Sequence, residues 1–170
     1  MSDLILVAVG AWLIDRVNQD LPDTDVVISP YYVGLELSAD GTPIAQPNLP
    51  NLGIAITFED LRKKLAYGGK VLYTGGSLQC DVYGKPRDDG SGFENFSKLV
   101  NVVNGLDGYT GCIPECPKDG EDDDFVDTGN TRMTIIQSIA STATSVGLEG
   151  GLYRSLIVFD VSYNSECSCP

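Results

Sequence analysis

Residues 74–84 read Thr-Gly-Gly-Ser-Leu-Gln-Cys-Asp-Val-Tyr-Gly, and this stretch decides the fold. Leu78, Cys80 and Val82 alternate with polar or amphipathic residues, and a period of two predicts a strand with one buried face. The position of Cys80 on the apolar side indicates a buried, inert thiol. Because Gly75 and Gly76 interrupt the pattern, we expect a break between an extended segment at 70–73 and this strand.

A polar loop at 85–92 follows the strand and leads into the clearest helical segment, residues 93–106. Its apolar residues recur mostly at intervals of three, which places them on one stripe of a helix. They are Phe93, Phe96, Leu99, Val100, Val103 and Leu106. Gly105 and Gly108 mark the end of the helix. The strand, loop and helix together predict a helix packed on one face of a sheet.

The rest of the chain supplies another helix and more strands. We expect a helix at 3–20, with a buried strand as the alternative for its first half. Extended segments are predicted at 26–37, 52–58, 132–146 and 153–163, the last two as an antiparallel pair joined through 147–151. Residues 59–65 either continue the preceding strand or form a short helical turn. The prediction is an α+β fold in a single domain over residues 1–170: a mainly antiparallel sheet with an N-terminal helix and a central helix packed on it.

The composition of the 170-residue chain argues against several classes of function. It has no histidine, so Ser–His and Cys–His nucleophile pairs and the commonest zinc ligand are missing. The formal net charge is −13, whereas free-standing nucleic-acid binding needs a surplus of basic residues. We therefore predict that the protein is not an enzyme and does not bind nucleic acid by sequence.

No membrane partner is expected from the sequence. The longest apolar run, Leu4 to Ile14, is shorter than the roughly 20 residues that cross a bilayer. Ser2 and Asp3 precede this run, where a signal peptide carries Lys or Arg. We expect a protein that is made in a cytoplasm.

The order of these elements resembles a known family, the tail completion or tail terminator proteins of long-tailed bacteriophages. Residues 74–84, with the loop and helix that follow, are similar to the family's central strand and the helix after it. The closing stretch 152–163, Leu-Tyr-Arg-Ser-Leu-Ile-Val-Phe-Asp-Val-Ser-Tyr, is similar to its last strand. The resemblance covers residues 3–106 and 131–164 in order. Two segments depart from the family pattern, an acidic, cysteine-containing insertion at 107–130 and a cysteine-rich tail at 164–170.

The resemblance implies a virion structural protein of the tail and neck. Such a protein forms a homo-oligomeric ring, a hexamer, on the head-proximal end of the tail tube, ends tube polymerisation and takes part in head–tail joining. The implied partners are further copies of the chain, the tail tube protein and the head–tail connector or other neck proteins. DNA would pass through the ring, virion assembly would take place in the host cytoplasm, and no catalytic residue or cofactor is implied. We expect the edges of the segments 70–83 and 153–163 to continue the sheet between subunits.

Four of the five cysteines form two closely spaced pairs, Cys112 with Cys116 and Cys167 with Cys169. Four thiolates can hold Zn²⁺ tetrahedrally, although neither spacing is the Cys-x-x-Cys of a zinc knuckle. Disulfides between the pairs are an equal alternative, and unrelated free thiols are the third. Two other functions therefore stay open: a different neck component such as a head–tail connector, and a secreted binding domain stabilised by disulfides.

The insertion also carries a dense acidic run: Asp119, Glu121, Asp122, Asp123 and Asp124. The run lacks the ordered ligand spacing of a calcium loop, so a solvated loop is the main interpretation and weak Ca²⁺ binding the alternative. In the ring that the resemblance implies, this loop would lie at the channel or an interface. There its negative potential would keep passing DNA from sticking.

Overall fold

Two helices pack on one face of a seven-stranded sheet in the computed structural model of the chain. The structure describes residues 2–30, 35–37, 43–45, 51–65, 71–112, 132–138, 147–149 and 151–164. The helices are α1 (Ser2–Asp20) and α2 (Ser91–Asn104). The strands are β1 (Val27–Pro30), β2 (Leu35–Leu37), β3 (Pro43–Ala45), β4 (Leu52–Leu65), β5 (Val71–Gly84), β6 (Thr110–Cys112), β7 (Arg132–Gln137), β8 (Gly147–Glu149) and β9 (Leu152–Asn164). The α+β prediction with a mainly antiparallel sheet is confirmed.

The strand order of the large sheet is β1-β4-β5-β9-β7-β6, and β8 pairs with the start of β9. Every neighbouring pair is antiparallel except β1 and β4, which run parallel with Val27 opposite Gly53. β2 and β3 form a separate antiparallel pair. The long strands β4, β5 and β9 thus form the centre of the sheet, and the shorter strands lie toward its two sides.

β5 and β9 are interior strands, which corrects the expectation that their edges join subunits. β5 pairs with β4 on one side and with β9 on the other, and β9 in turn pairs with β7. Residues 74–84 of β5 and 159–163 of β9 are therefore paired on both sides within the subunit. An alternating pattern shows which face of a strand is buried, but it does not show which strands lie beside it.

The core lies between the two helices and the sheet face that carries Leu78, Cys80 and Val82, all fully buried. Ile157 and Phe159 of β9 extend this buried face. The helices contribute Ile5, Leu6, Val9, Leu13 and Val17 from α1, and Phe96, Leu99, Val102 and Val103 from α2. Each fully buried large apolar side chain contributes roughly 1.5–3 kcal/mol. α1 is helical from Ser2 to Asp20, so the alternative of a buried strand in its first half is wrong.

α2 begins and ends two residues earlier than the sequence predicts. Its first turn follows directly on a tight turn at residues 89–91. The side-chain oxygen Oδ1 of Asp89 accepts hydrogen bonds from the backbone N–H and the hydroxyl of Ser91, at 3.0 and 2.6 Å. These bonds lower the pKa of Asp89, and Gly90 adopts the left-handed φ of 77° that the turn requires. Phe93, predicted on the buried stripe, is half exposed and packs edge-on against Tyr153.

β5 runs unbroken through Gly75 and Gly76, so the predicted break at these residues is wrong. A Cβ at Gly75 would lie 2.8 Å from the carbonyl oxygen of Val161, and one at Gly76 would collide with the ring of Phe58. Glycine is required here because neighbouring strands and side chains approach closely, and the backbone itself stays extended.

Three further segments refine the predicted boundaries. Residues 59–65 continue β4 rather than forming a helical turn. Of the predicted strand 132–146, residues 132–137 form β7, Ser138 lies beyond the strand, and 139–146 fall outside the described residues. Of the predicted insertion, residues 110–112 pair with β7 as β6, and 113–130 fall outside the described residues.

Candidate functional site

Most of the side chains predicted to form a site lie outside the described residues. These are Cys116, Cys167, Cys169, Asp119, Glu121, Asp122, Asp123 and Asp124. Cys112 is placed by its backbone at the end of β6, opposite Arg132. Within the described ranges, no group of three or more Cys, Asp or Glu side chains is arranged to hold a metal ion. The metal, disulfide and free-thiol alternatives for these cysteines stay predictions.

Cys80 is the cysteine whose side chain the structure describes. It is a free thiol, fully buried on the helix-covered face of the sheet. Burial raises its pKa to about 12, because the thiolate would lose its hydration in the core. The thiol is therefore protonated at neutral pH, and the prediction that Cys80 is buried is confirmed.

The most distinctive surface lies on the opposite face of the sheet, where β9 is flanked by β5 and β7. We call it the open patch and define it by Asp81, Ile136, Arg154, Leu156 and Val158. The register places Leu156 directly opposite Asp81, and Ile136 directly opposite Asp160, which lies two positions along β9 from Val158. Neither described helix packs on this patch, since α1 and α2 both bury the other face.

Large apolar side chains in the open patch are exposed to solvent. Ile136 is 56% exposed and Leu156 49%, although both lie within paired strands and not in loops. Val158, between them, is half-buried. Adjacent apolar residues held on a rigid sheet lose little conformational entropy when a partner covers them, and such surfaces are typical of protein–protein contacts.

An ion pair borders these apolar residues. Nε of Arg154 donates to both carboxylate oxygens of Asp81, at 2.9 and 3.1 Å, and its Nη2 donates to Oδ2 as well. The two residues are diagonal neighbours, because Arg154 faces Tyr83 two positions from Asp81. The side chain of Arg154 is 41% exposed and that of Asp81 is 19% exposed. A forked guanidinium held in this way presents a fixed, partly desolvated charge beside the apolar residues.

Tyr83 lies on the same sheet face as the open patch, toward β4, and there the face is covered. Its side chain is only 4% exposed, and its ring lies over Gly53 of β4, where a Cβ would collide with it. Burial, with the nearby charge of Asp81, raises the pKa of Tyr83 to about 12. Its hydroxyl has no hydrogen-bond partner among the described residues. The face is therefore buried near β4 and open near β7 and β9.

The sequence contains a signal for the open patch that the strand prediction did not use. Residues 156–159, Leu-Ile-Val-Phe, are continuously apolar, whereas a strand with one solvated face alternates. Such a run indicates apolar residues on both faces, and the helices cover only one of them. Ile135 and Ile136 repeat the pattern on β7, the first fully buried and the second exposed.

No described helix is long and apolar enough to cross a membrane. No protein-family model matches the sequence, and no curated protein is significantly similar to it.

Proposed function

We propose that this chain is a virion structural protein of a long-tailed bacteriophage. Several copies form a ring on the head-proximal end of the tail tube, where the ring ends tube polymerisation and joins the tail to the head. The observation that carries the proposal is the open patch, a rigid apolar surface beside a fixed ion pair that suits a contact with another copy of the chain.

The sequence resemblance supports the more specific part of the proposal. The order of a helix, strands, a central strand, a helix and two paired strands resembles that of the tail terminator proteins, and an α+β fold is the class that this resemblance implies. The proposed partners are further copies of the chain, the tail tube protein and the neck proteins. No reaction and no cofactor are part of the proposal.

A contact with another subunit would give a role to the exposed apolar side chains of the open patch, which the fold of the single subunit does not need. Interfaces between subunits have apolar centres in which aromatic residues and Arg are common and other charges are scarce. Leu156 and Ile136 would supply the apolar centre, and Arg154, already held by Asp81, would add a charge at low entropic cost. A heterologous contact that closes on itself produces a ring of fixed size.

Tail length in a phage that lacks this gene tests the proposed function. We expect overlong tails without heads, because nothing stops tube growth, and normal tails when the wild-type protein is supplied. A head–tail connector instead predicts tails of normal length that fail to join heads. Tails of normal length joined to heads in the deletion phage would contradict the proposal.

A matched pair of variants links this result to the open patch. Ile136→Asp with Leu156→Asp places two charges in the patch, whereas Val7→Asp with Ile14→Asp places them on exposed apolar positions of α1. We expect the first variant to fold but leave the tails overlong, and the second to restore normal tails. Electron microscopy of the tails distinguishes the two variants.

A further inference from the structure

Phe93, in the first turn of α2, is an exposed aromatic side chain. It is the one aromatic among the large apolar side chains that the described residues leave exposed, and its exposed fraction is 50%. The ring packs edge-on against Tyr153, with ring centroids 5.3 Å apart. Tyr153 in turn contacts the fully buried Phe96, with centroids 5.7 Å apart. A ring supported in this way loses little conformational entropy when a partner covers it.

Phe93 and the ion pair of the open patch lie at the same end of β9, on opposite faces of the sheet. Tyr153, which Phe93 contacts, packs against the helix-covered core. Arg154 is the next residue of the strand, so its side chain lies on the other face, where it donates to Asp81. The sheet therefore separates Phe93 from Arg154 of the same subunit, and only another copy of the chain can bring the two side chains together.

The Arg154 end of the open patch has the chemistry that an aromatic ring contacts well. Arg154 is the more exposed member of its ion pair, 41% against 19% for Asp81, so a partner meets the guanidinium first. A planar guanidinium stacks on aromatic rings, and the attraction grows when the contact excludes water. Leu156, two positions along the strand, is 49% exposed and adds apolar surface beside the guanidinium. Aromatic residues and Arg are the side chains that most often anchor protein interfaces.

The charges around the two sites are also complementary. The loop before α2 carries two exposed carboxylates, Asp88 and Asp89, and one exposed basic residue, Arg87. Beyond the other end of the open patch, the exposed Asp160 is separated from Arg154 by roughly 20 Å of strand, at about 3.3 Å per residue. Electrostatic attraction therefore favours the approach of this loop to the Arg154 end of the patch.

We propose that Phe93 of one copy of this chain packs on Arg154 and Leu156 in the open patch of the next copy. The two surfaces lie on opposite faces of the sheet, so the contact is heterologous and repeats from copy to copy until a ring closes. Contact of the open patch with itself across a two-fold axis would instead give a dimer. The inference rests on the proposed function, because it names the surface that the open patch meets in the ring.

A substitution series at Phe93 in the full-length chain tests this contact. Phe93→Lys removes the ring and places a like charge against Arg154, so we expect association to be weaker than that of wild type by about tenfold or more. Phe93→Tyr keeps an aromatic ring and should associate as wild type does. Asn101→Lys adds the same charge at an exposed position of the same helix, and it should also associate as wild type does. Sedimentation velocity over a range of concentrations measures the association, and circular dichroism checks that each variant is folded.

A mixture of two variants tests whether the contact is heterologous. Phe93→Lys retains the open patch, whereas Ile136→Asp with Leu156→Asp retains Phe93. We expect each variant alone to be a monomer, and the mixture to form a heterodimer with one copy of each, because one intact contact is possible between them. Nothing larger should form, since both remaining surfaces of the heterodimer are altered. Native mass spectrometry, at concentrations well above those at which wild type assembles, identifies the products.

The outcomes separate this contact from the proposed function. If wild type forms a ring but Phe93→Lys associates equally well, the Phe93 contact is wrong and the ring proposal stands. The same conclusion follows if the two variants stay monomeric when they are mixed. A wild-type dimer that Phe93→Lys leaves intact would indicate that the open patch contacts itself, and it would contradict both proposals. A wild-type chain that stays monomeric also contradicts both.

Discussion

The two faces of β9 differ sharply although their residues alternate along one strand. On the helix-covered face, Ile157 and Phe159 are fully buried and Val161 is nearly so. On the other face, Leu156 is 49% exposed, and Asp160 and Ser162 are exposed. The same backbone thus supports a packed core on one side and an accessible surface on the other. Stability and assembly are expected to depend on different sets of side chains.

The largest expected effect is a difference in the free energy of unfolding between two variants, each of which truncates one residue on one face of β9. Phe159→Ala leaves a cavity in the core and should lower the free energy of unfolding by about 3–5 kcal/mol. Leu156→Ala, three positions away, removes half-exposed atoms and should cost less than about 1 kcal/mol. Urea unfolding of the two variants measures the difference. Equal losses would show that the open patch is part of the monomer's core.

The covered face should also make the protein sensitive to alkaline pH. Burial raises the pKa of Cys80 from 9.0 to about 12, so the unfolded chain releases this proton at a lower pH than the folded chain does. The contribution of Cys80 to the free energy of unfolding is fully present below pH 9, and it declines as the pH rises toward 12. By pH 10 this decline lowers the free energy of unfolding by roughly 1 kcal/mol.

Cys80→Ala isolates this contribution, because the variant cannot ionise at this position. The free energies of unfolding from urea titrations at pH 8 and pH 10 should differ less in the variant than in wild type. Tyr83, whose pKa is also raised to about 12, adds a decline of the same sign above pH 10 in both proteins. An identical pH dependence in the two proteins would show that the thiol is accessible to water.

The ion pair of the open patch should contribute least to stability. A double-mutant cycle with Asp81→Asn and Arg154→Gln should give a coupling energy of about 0.5–1 kcal/mol, because Arg154 is partly exposed and its charge is screened. The exposed pair Glu94–Lys98 on α2 is a suitable reference, and its coupling should be smaller. A coupling no larger than that of the reference pair would mean that Arg154 is not held in place.

The sequence predicts the elements of this protein better than their arrangement. The alternation of Leu78, Cys80 and Val82 predicts β5 and its buried face, because burial leaves a period of two in the residues. The interior positions of β5 and β9 depend on strand pairing, which leaves no such local pattern. Gly75 and Gly76 mark close contacts with neighbouring elements, and their local signal is the same as that of a turn.

The candidate site could be predicted only in part for a related reason. Most of the cysteines and acidic residues that the sequence analysis proposed as site residues fall outside the described residues, so their roles stay predictions. The open patch consists of ordinary apolar residues together with Asp81 and Arg154, which lie 73 positions apart in the chain. Its local signals are the run Leu-Ile-Val-Phe at 156–159 and the pair Ile135-Ile136, and they identify strands with two apolar faces without indicating what covers each face.

Native mass spectrometry of the wild-type chain, measured beside the Ile136→Asp, Leu156→Asp variant, tests the central claim most directly. We expect one closed assembly for wild type, a hexamer as the resemblance implies, and a folded monomer for the variant. Wild type that remains a monomer at every concentration, or a variant that assembles as wild type does, would contradict the role of the open patch in assembly.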